Sequence, residues 1–362
     1  MKPPSLPFTP RASPWGVVTT VALVALAWWL SDVVLLTFAA VLLALMLHGA
    51  ARPLTHGLGW PPKLALAVVV TTLLLLLAAG AWFAGASAAQ ELQALRETVP
   101  RAFAALLRWM GEQPLGRWIL QMWSDAIAQP GSGSSRAAKW LSSTLNATFS
   151  VVGAVVLIVV LAVFLAGDAQ TYRRGLIRLF APPVRPIAEQ TLTAVRHSLS
   201  RWLLGQSISM LTVGVLMAIG LTLLGVPMVL TLAVITALLD FVPYIGAISA
   251  GVLVVAVAFT ENEQLALQAA LLCFAVQQAE SYLVQPLVHR WAVRLPPALS
   301  LLAVVIFGLM LGLPGVLLAV PLMVVLMTVV QEVYVKAWLE GAPGTVLARS
   351  AAPPAVPREH PP

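Results

Sequence analysis

The sequence predicts an all-α protein that crosses a membrane several times. Of its 362 residues, 60% are hydrophobic and only 10% are charged, and the mean hydropathy is +0.92. A soluble domain is roughly half apolar and a quarter charged, so this chain has too little polar surface to coat a water-soluble particle. The apolar residues also come in long blocks, and some of these reach the roughly 20 residues that a helix needs to cross a bilayer.

The residue types also exclude several functional classes. The single cysteine, Cys273, cannot form an intrachain disulfide, and no Cys/His cluster has the spacing of a metal site. The net charge of +7 comes from scattered basic residues, so it indicates membrane orientation and not nucleic-acid binding. Nucleotide-binding and zinc-protease motifs are absent, and no histidine lies at depth in a span to activate Ser207. We therefore expect no enzyme activity, cofactor or metal.

The N-terminal membrane region covers residues 17–85 and follows a disordered tail, residues 1–16. Val17–Leu30 and Val33–Leu47 are short apolar stretches separated by two polar residues, which predicts a tight helical hairpin. Leu64–Gly85 is long enough to be a full span.

Two amphipathic regions flank the next span, residues 149–166. Between residues 86 and 148, apolar side chains recur at helical spacing among charged ones, which predicts a helical excursion outside the bilayer. Residues 167–202 are a second amphipathic region, and a short loop rich in arginine is a cytoplasmic marker. The arginines are Arg173, Arg174, Arg178, Arg185, Arg196 and Arg201. This pattern predicts a cytoplasmic N-terminus.

The C-terminal transport core covers residues 203–335 and is broken repeatedly by proline and glycine. Leu203–Leu224 is a clean span, whereas Met228–Leu239 and Leu299–Leu311 are too short to cross alone. We interpret each short piece as a half-helix or as one arm of a re-entrant hairpin. The residues of the predicted helix breaks are Pro227, Pro243, Tyr244, Gly246, Pro286, Pro314 and Gly315. A Pro-rich tail, residues 336–362, follows.

Two of these breaks share the pattern Leu-Gly-x-Pro-x-Val-Leu, at residues 224–230 and 311–317. Corresponding broken segments in two halves of a transporter point to a transport site. The same pattern is also a common way to turn a membrane helix, so both interpretations stay open.

Polar side chains within the apolar core are the candidate transport pathway. Asp240 follows an apolar run, and a carboxylate at membrane depth costs at least ~2.5 kcal/mol on insertion scales. It either lines a polar cavity, where it binds a proton, a cation or a solute, or it caps a span end. Glu280 lies on a polar stripe of the span Leu265–Leu283, which either lines a pathway or joins helices through hydrogen bonds of typically ~0.6 kcal/mol. The predicted pathway residues are Asp240, Gln277, Glu280, Ser281, Gln285 and Gln206.

Seven short motifs occur in order along the C-terminal half. They are RWLLGQ from Arg201, LGVP from Leu224, FVPYIG from Phe241, QAESYLVQP from Gln278, LPPA from Leu295, GLPG from Gly312 and AVPL from Ala319. In this order they resemble the landmarks of the autoinducer-2 exporter (AI-2E) family of bacterial inner-membrane transporters. The resemblance is strong over residues 190–335, and the earlier layout of spans agrees in outline.

The resemblance implies about eight membrane-spanning helices and secondary transport of small solutes. The activity that names the family is export of autoinducer-2, and some members resemble sodium or lithium/proton antiporters. Ala247 stands where many relatives have proline, and Ser281 where many have asparagine. These departures concern the solute preference and leave the fold class unchanged.

Three functions follow from these observations. The first is a transporter in the bacterial inner membrane that exports a small polar solute, of the autoinducer-2 type, with coupling to protons or ions. The second is antiport of Na⁺ or Li⁺ against protons through the same carboxylates. The third is a membrane scaffold that binds a partner through residues 86–148. We expect a homo-oligomer of unknown number in the lipid bilayer and no nucleic-acid partner.

The predicted orientation places residues 86–148 outside the cell and the arginine-rich region inside. On a Cys273→Ser background, a thiol reagent that cannot enter intact cells should therefore label Ser134→Cys and spare Ser198→Cys. The reverse labelling pattern would overturn the orientation.

Overall fold

The fold is described from a computed structural model, which covers residues 30–85, 87–113, 117–118, 148–284, 286 and 296–340. Within these ranges the chain is all-helical and contains no β-strand. The ten α-helices of this part are α1 (Ser31–Gly57), α2 (Pro62–Gly85), α3 (Ser87–Glu112), α4 (Thr148–Gly167), α5 (Ala169–Arg178), α6 (Arg185–Leu224), α7 (Val229–Leu239), α8 (Ile245–Phe259), α9 (Glu263–Ala279) and α10 (Pro297–Val329). Residues 1–29, 119–147 and 341–362 lie outside the described residues. They include the whole predicted N-terminal tail and most of the predicted C-terminal tail.

Three helices of the described part are long and apolar enough to cross a membrane, namely α1, α6 and α10, although α10 is broken at Gly312 and does not cross as one straight helix. A fourth candidate joins α4 to α5 through an 84° bend. The described helices thus give three or four candidate spans by length and composition, and they do not establish the eight that the resemblance implies. Other apolar helices are shorter, namely Pro62–Leu75, α7 and α8.

Helices α1 and α4 lie side by side and end on the same side of the molecule. Ala40 and Ala44 of α1 cluster with Ala162 and Ala166 of α4, and such small side chains allow close helix packing. His48, near the end of α1, lines one cavity with residues that follow α4. The arginine-rich region therefore lies at the same end as the basic end of α1.

Helix α6 joins two regions that the sequence separates. The predicted boundary between the amphipathic region and the span lies at residue 203, yet the helix runs unbroken for 40 residues. At 1.5 Å per residue it is about 60 Å long, roughly twice the thickness of the hydrocarbon core. At the predicted boundary one continuous helix passes from a charged N-terminal half to an apolar C-terminal half. Only the apolar half fits within the hydrocarbon core, so the charged half projects out of it.

Helices α7 and α8 form a tight antiparallel hairpin. A Cβ atom on Gly246 would lie 1.8 Å from the carbonyl oxygen of Leu239, so only glycine allows the two backbones to come this close. Farther from the turn, Leu232 of α7 packs in the same cluster as Val254 and Val257 of α8. The short predicted piece Met228–Leu239 is one arm of this hairpin.

Helix α10 also folds back on itself. Gly312 has φ 67° and ψ −149°, which breaks the helix, and a Cβ atom on Gly315 would lie 2.1 Å from the carbonyl oxygen of Phe307. Residues eight apart in a straight helix are about 12 Å apart along its axis, so the contact requires a reversal of direction. The predicted piece Leu299–Leu311 is the first arm.

The two hairpins meet. Val242, in the turn of the α7–α8 hairpin, clusters with Val304 and Ala319 from the two arms of α10. On the other side, α3 folds back onto the core through an edge-to-face contact between Trp109 and Phe259, with ring centroids 5.9 Å apart. The turn after α7 is therefore covered by α10 on the side of Val242, while Tyr244 and Ile245 stay exposed.

The close approach within α10 predicts a cost for any side chain at Gly315. We expect Gly315→Ala to lower the free energy of unfolding by about 1–3 kcal/mol, because the new methyl group must push the two arms apart. Gly153→Ala in α4 is the control, since nothing lies within 4 Å of its added Cβ. Thermal unfolding of the purified variants measures both effects, and equal melting temperatures would contradict the hairpin.

Candidate functional site

Glu280 lies at the end of α9, where the α-helix gives way to a short π-helix, Glu280–Val284. Such π-helical turns are frequent at functional sites. The carboxylate is buried and accepts two hydrogen bonds: Ser209 Oγ donates to Oε1 at 2.8 Å, and Gln277 Nε2 donates to Oε2 at 2.7 Å. These donors come from α6 and α9, so Glu280 connects two helices of the core.

Asp240 ends α7 and is the second buried carboxylate of the site, with 6% of its surface exposed. It lies close enough to Glu280 for the two carboxyl groups to interact electrostatically, and Ser209, which donates to Glu280, lies near it as well. Its Oδ2 atom is buried without a hydrogen-bond partner. In the described part of the chain, no basic side chain forms an ion pair with either carboxyl group.

Gln206 ties α6 to the turn that carries Asp240. Its Nε2 atom donates a 2.7 Å hydrogen bond to the backbone carbonyl oxygen of Asp240. Carbonyl groups at the end of a helix lack partners within the helix, so this bond satisfies one of them. Gln206 and Ser209 are three residues apart and share one face of α6.

The turn after Asp240 is backbone-strained at Tyr244. This residue has φ 67° and ψ −58°, and the Ile245 N–H donates to the Pro243 carbonyl oxygen at 2.8 Å, which closes a γ-turn. A non-glycine residue in such a conformation costs about 1–3 kcal/mol, and this strain tends to occur at functional sites. The Tyr244 side chain is 42% exposed, so its backbone, more than its ring, shapes the site.

A small cavity of about 20 Å³ adjoins Asp240. Asp240, Gln277 and Thr236 supply its polar lining, while Met217 and Cys273 are among its apolar neighbours. A volume of this size holds about one water molecule. In this conformation the site has room for a proton carrier or a small ion and none for an organic solute.

The structure brings four of the six predicted pathway residues together: Gln206, Asp240, Gln277 and Glu280. Ser281 is half-buried on the π-helix and does not line the cavity. Gln285 lies outside the described residues.

The predicted helix-break residues lie in several different parts of the fold. Pro243, Tyr244 and Gly246 form the turn next to Asp240. Pro227 lies in the turn between α6 and α7, whereas Pro314 and Gly315 lie in the α10 hairpin and Pro286 is exposed. None of the latter four lines the small cavity.

Sequence reasoning missed Ser209 and Thr236. Ser209 lies one turn after Gln206, and Thr236 one turn before Asp240, so each shares a helix face with a residue that was predicted. That spacing was the available signal. It is weak, because a hydroxyl group in a membrane helix often bonds only to its own backbone, as Thr236 Oγ1 does to the Leu232 carbonyl oxygen.

Oxygen atoms make up most of the donor set of the site. Within the described residues, no group of three or more His, Cys, Asp or Glu side chains could hold a metal ion. Two carboxylates, a hydroxyl and an amide remain, and carboxylate oxygens in a buried site either share a proton or surround a small cation.

Comparison with known proteins places this site in a transporter. The family model described as "AI-2E family transporter" matches residues 17–335. The chain belongs to the AI-2E family. Membership and the apolar helices together make it a multi-pass membrane protein with a transport role, as the sequence predicted.

Relatives of this AI-2E protein are also named as transport proteins. "Putative transport protein MT0215" of Mycobacterium tuberculosis is 29% identical over 325 residues, which cover 87% of this chain and 88% of that protein. "Putative transport protein YueF" of Bacillus subtilis is 26% identical over 185 residues, or 50% of each chain. A second Bacillus subtilis protein, "Putative transport protein YrrI", is 25% identical over 166 residues, or 46% of this chain and 47% of that protein.

The hydrogen bond between Ser209 and Glu280 predicts a stability effect that its neighbour should not show. Ser209→Ala leaves a buried carboxylate oxygen with one donor fewer, which costs about 1–3 kcal/mol. Ser207→Ala is the matched control, because Ser207 Oγ donates only to the Leu203 carbonyl oxygen of its own helix. Melting temperatures should fall for Ser209→Ala and stay near the wild-type value for Ser207→Ala. Equal values would place the Ser209 hydroxyl outside the site.

Proposed function

We propose that this AI-2E protein is a secondary transporter that exports a small polar solute in exchange for protons through its C-terminal core. The observation that carries the proposal is the buried pair of Asp240 and Glu280, which lie near Ser209 and next to a strained helix break. An intramembrane carboxylate is expensive and usually marks an ion or proton pathway. Two intramembrane carboxylates in one site need a positive charge, such as one proton held between them, to offset their repulsion.

The pair would act by holding one proton at a time. Two buried carboxylates that repel each other do not both ionise readily without a compensating charge, so one of them would keep its proton. The Ser209 hydroxyl can rotate and donate its hydrogen bond to whichever carboxylate is ionised. Loss of the proton toward one side of the membrane then leaves a double negative charge, which favours a change of conformation or the entry of a cation.

The lengths of the hairpin arms support a site near the middle of the membrane. Helix α7 has 11 residues, which correspond to about 16 Å, or half of the hydrocarbon thickness. If the α7–α8 hairpin enters the bilayer from one side, its turn places Asp240 near the midplane, where binding sites formed by broken helices lie in other transporters. The α10 hairpin, which packs against this turn, would then be a second re-entrant element.

Antiport of Na⁺ or Li⁺ against protons is the second candidate function, and the small cavity favours it. A volume of about 20 Å³ fits a dehydrated monovalent cation without further opening, whereas a solute of the autoinducer-2 type requires the hairpins to separate. Alkali-cation-dependent proton movement in everted vesicles distinguishes the two. The scaffold role for residues 86–148 has less support, because Trp109 of α3 already packs against Phe259.

Orientation and assembly belong to the same proposal. The C-terminal end of α1, with Arg52, lies at the same end of the molecule as Arg173 and Arg196. This concentration of positive charge supports an inner-membrane protein with this end in the cytoplasm, and the predicted hairpin of residues 17–47 then returns the N-terminus to the same side. We also propose a homo-oligomer, of unknown number.

The proposal predicts a specific requirement for the Glu280 charge. Glu280→Gln keeps the shape of the side chain and removes its ability to exchange a proton, so transport should fall at least about a hundredfold while insertion is preserved. Glu263→Gln is the matched control, since it removes the same charge from an exposed position in the first turn of α9.

The measurement compares exported metabolites, and alkali-cation-dependent proton flux in vesicles, between cells that carry wild-type protein, Glu280→Gln or Glu263→Gln. Loss of either activity in Glu280→Gln alone supports the proposal and identifies the cargo. Full activity in Glu280→Gln would reduce the residue to a structural contact between α6 and α9.

A further inference from the structure

A second cavity lies far from the carboxylate pair in the chain, between α1, the α4–α5 bend and α6. Its volume is about 480 Å³, which is in the range of ligand-binding pockets. Most of its wall is apolar and comes from three helices, as with Leu45 of α1, Leu165 of α4 and Leu199 of α6. This part of the cavity suits a hydrocarbon chain and offers little to a purely polar solute.

The remaining wall is positively charged. His48, Arg173 and Arg196 line the cavity, and no acidic side chain does. Arg173 Nη2 donates to Glu189 Oε1 at 2.8 Å and to Thr193 Oγ1 at 3.2 Å, so a neighbouring acid balances its charge. Arg196 forms no ion pair within the described residues. The cavity therefore carries an uncompensated positive charge beside its apolar wall.

Helix α5 indicates the depth of this cavity relative to the bilayer. It leaves the preceding span at 84°, and exposed apolar side chains such as Leu176 alternate along it with Arg174 and Arg178. Leu179, which follows directly, is 82% exposed. A helix with apolar and arginine faces, nearly perpendicular to a span, lies at the level of the lipid head groups. Arg173 on α5 brings the charged part of the cavity to the same level.

We propose that this cavity binds an anionic phospholipid, with its phosphate between Arg173 and Arg196 and one acyl chain along the apolar wall. The planar guanidinium groups match the geometry of a phosphate, and basic pockets between membrane helices bind anionic head groups in this way. The bound lipid would brace α1 and α4 against the charged half of α6. The site is independent of the transport proposal, because it shares no residue with the carboxylate pair.

Native mass spectrometry of the full chain in detergent tests this site, with dioleoyl phosphatidylglycerol as the probe and dioleoyl phosphatidylcholine as the neutral reference. Arg196→Gln should weaken phosphatidylglycerol binding about fivefold, the value expected for one basic residue at an anionic surface. Arg196→Lys keeps the charge but loses the planar guanidinium group, so it should bind more tightly than Arg196→Gln and less tightly than the wild type. Arg178→Gln removes the same charge from α5 outside the cavity and should bind as the wild type does.

Three results would overturn the proposal. Equal losses in Arg196→Gln and Arg178→Gln would indicate general attraction to the arginine-rich surface instead of a site. Equal binding of the neutral lipid would remove the role of the phosphate. Competition by glycerol 3-phosphate as effective as that by phosphatidylglycerol would show that the cavity binds a free organic anion and not a lipid.

Discussion

The site depends on the cost of placing two carboxylates inside the helical core, away from bulk water and from the basic side chains of the described residues. Asp240 and Glu280 are both buried, and in the described residues neither has a basic partner. Ser209 and Gln277 donate hydrogen bonds to the Glu280 carboxylate, and Gln206 donates one to the backbone carbonyl oxygen of Asp240. Among the described residues, Asp240 Oδ2 has no hydrogen-bond partner and no basic side chain offsets the charge of the pair.

Close backbone packing allows this arrangement. The α7–α8 hairpin brings a strained turn to the carboxylates because Gly246 has no side chain, and α10 closes over that turn because Gly315 has none. Wider hairpins would let lipid or water reach the pair and would lower the cost of its charge. In the proposed transport cycle, the strain at Tyr244 and the small volume beside Asp240 belong to a closed state that has to open.

Most residues of the candidate site and the short length of α7 could be predicted from the sequence. Charged and amide residues within apolar blocks are conspicuous, so Asp240, Glu280, Gln206 and Gln277 could be identified by composition alone, and counting residues showed that α7 was too short to span. Ser209 could not be separated from Ser207 in this way, because both are serines near one end of the same helix and only the fold decides which one meets Glu280. The unbroken course of α6 through residue 203 was missed because polarity changes there while helix propensity does not. The π-helix at Glu280 has no sequence signal that we know.

The central claim is that Asp240 and Glu280 together hold one proton, and infrared spectroscopy tests it most directly. Difference spectra between the wild-type protein and the Asp240→Asn/Glu280→Gln double variant, both in lipid at neutral pH, isolate the carboxyl bands of the pair. The account predicts one protonated and one ionised carboxyl group in each wild-type chain, with the protonated band shifting in deuterated water. Two ionised carboxylates and no protonated band would contradict it.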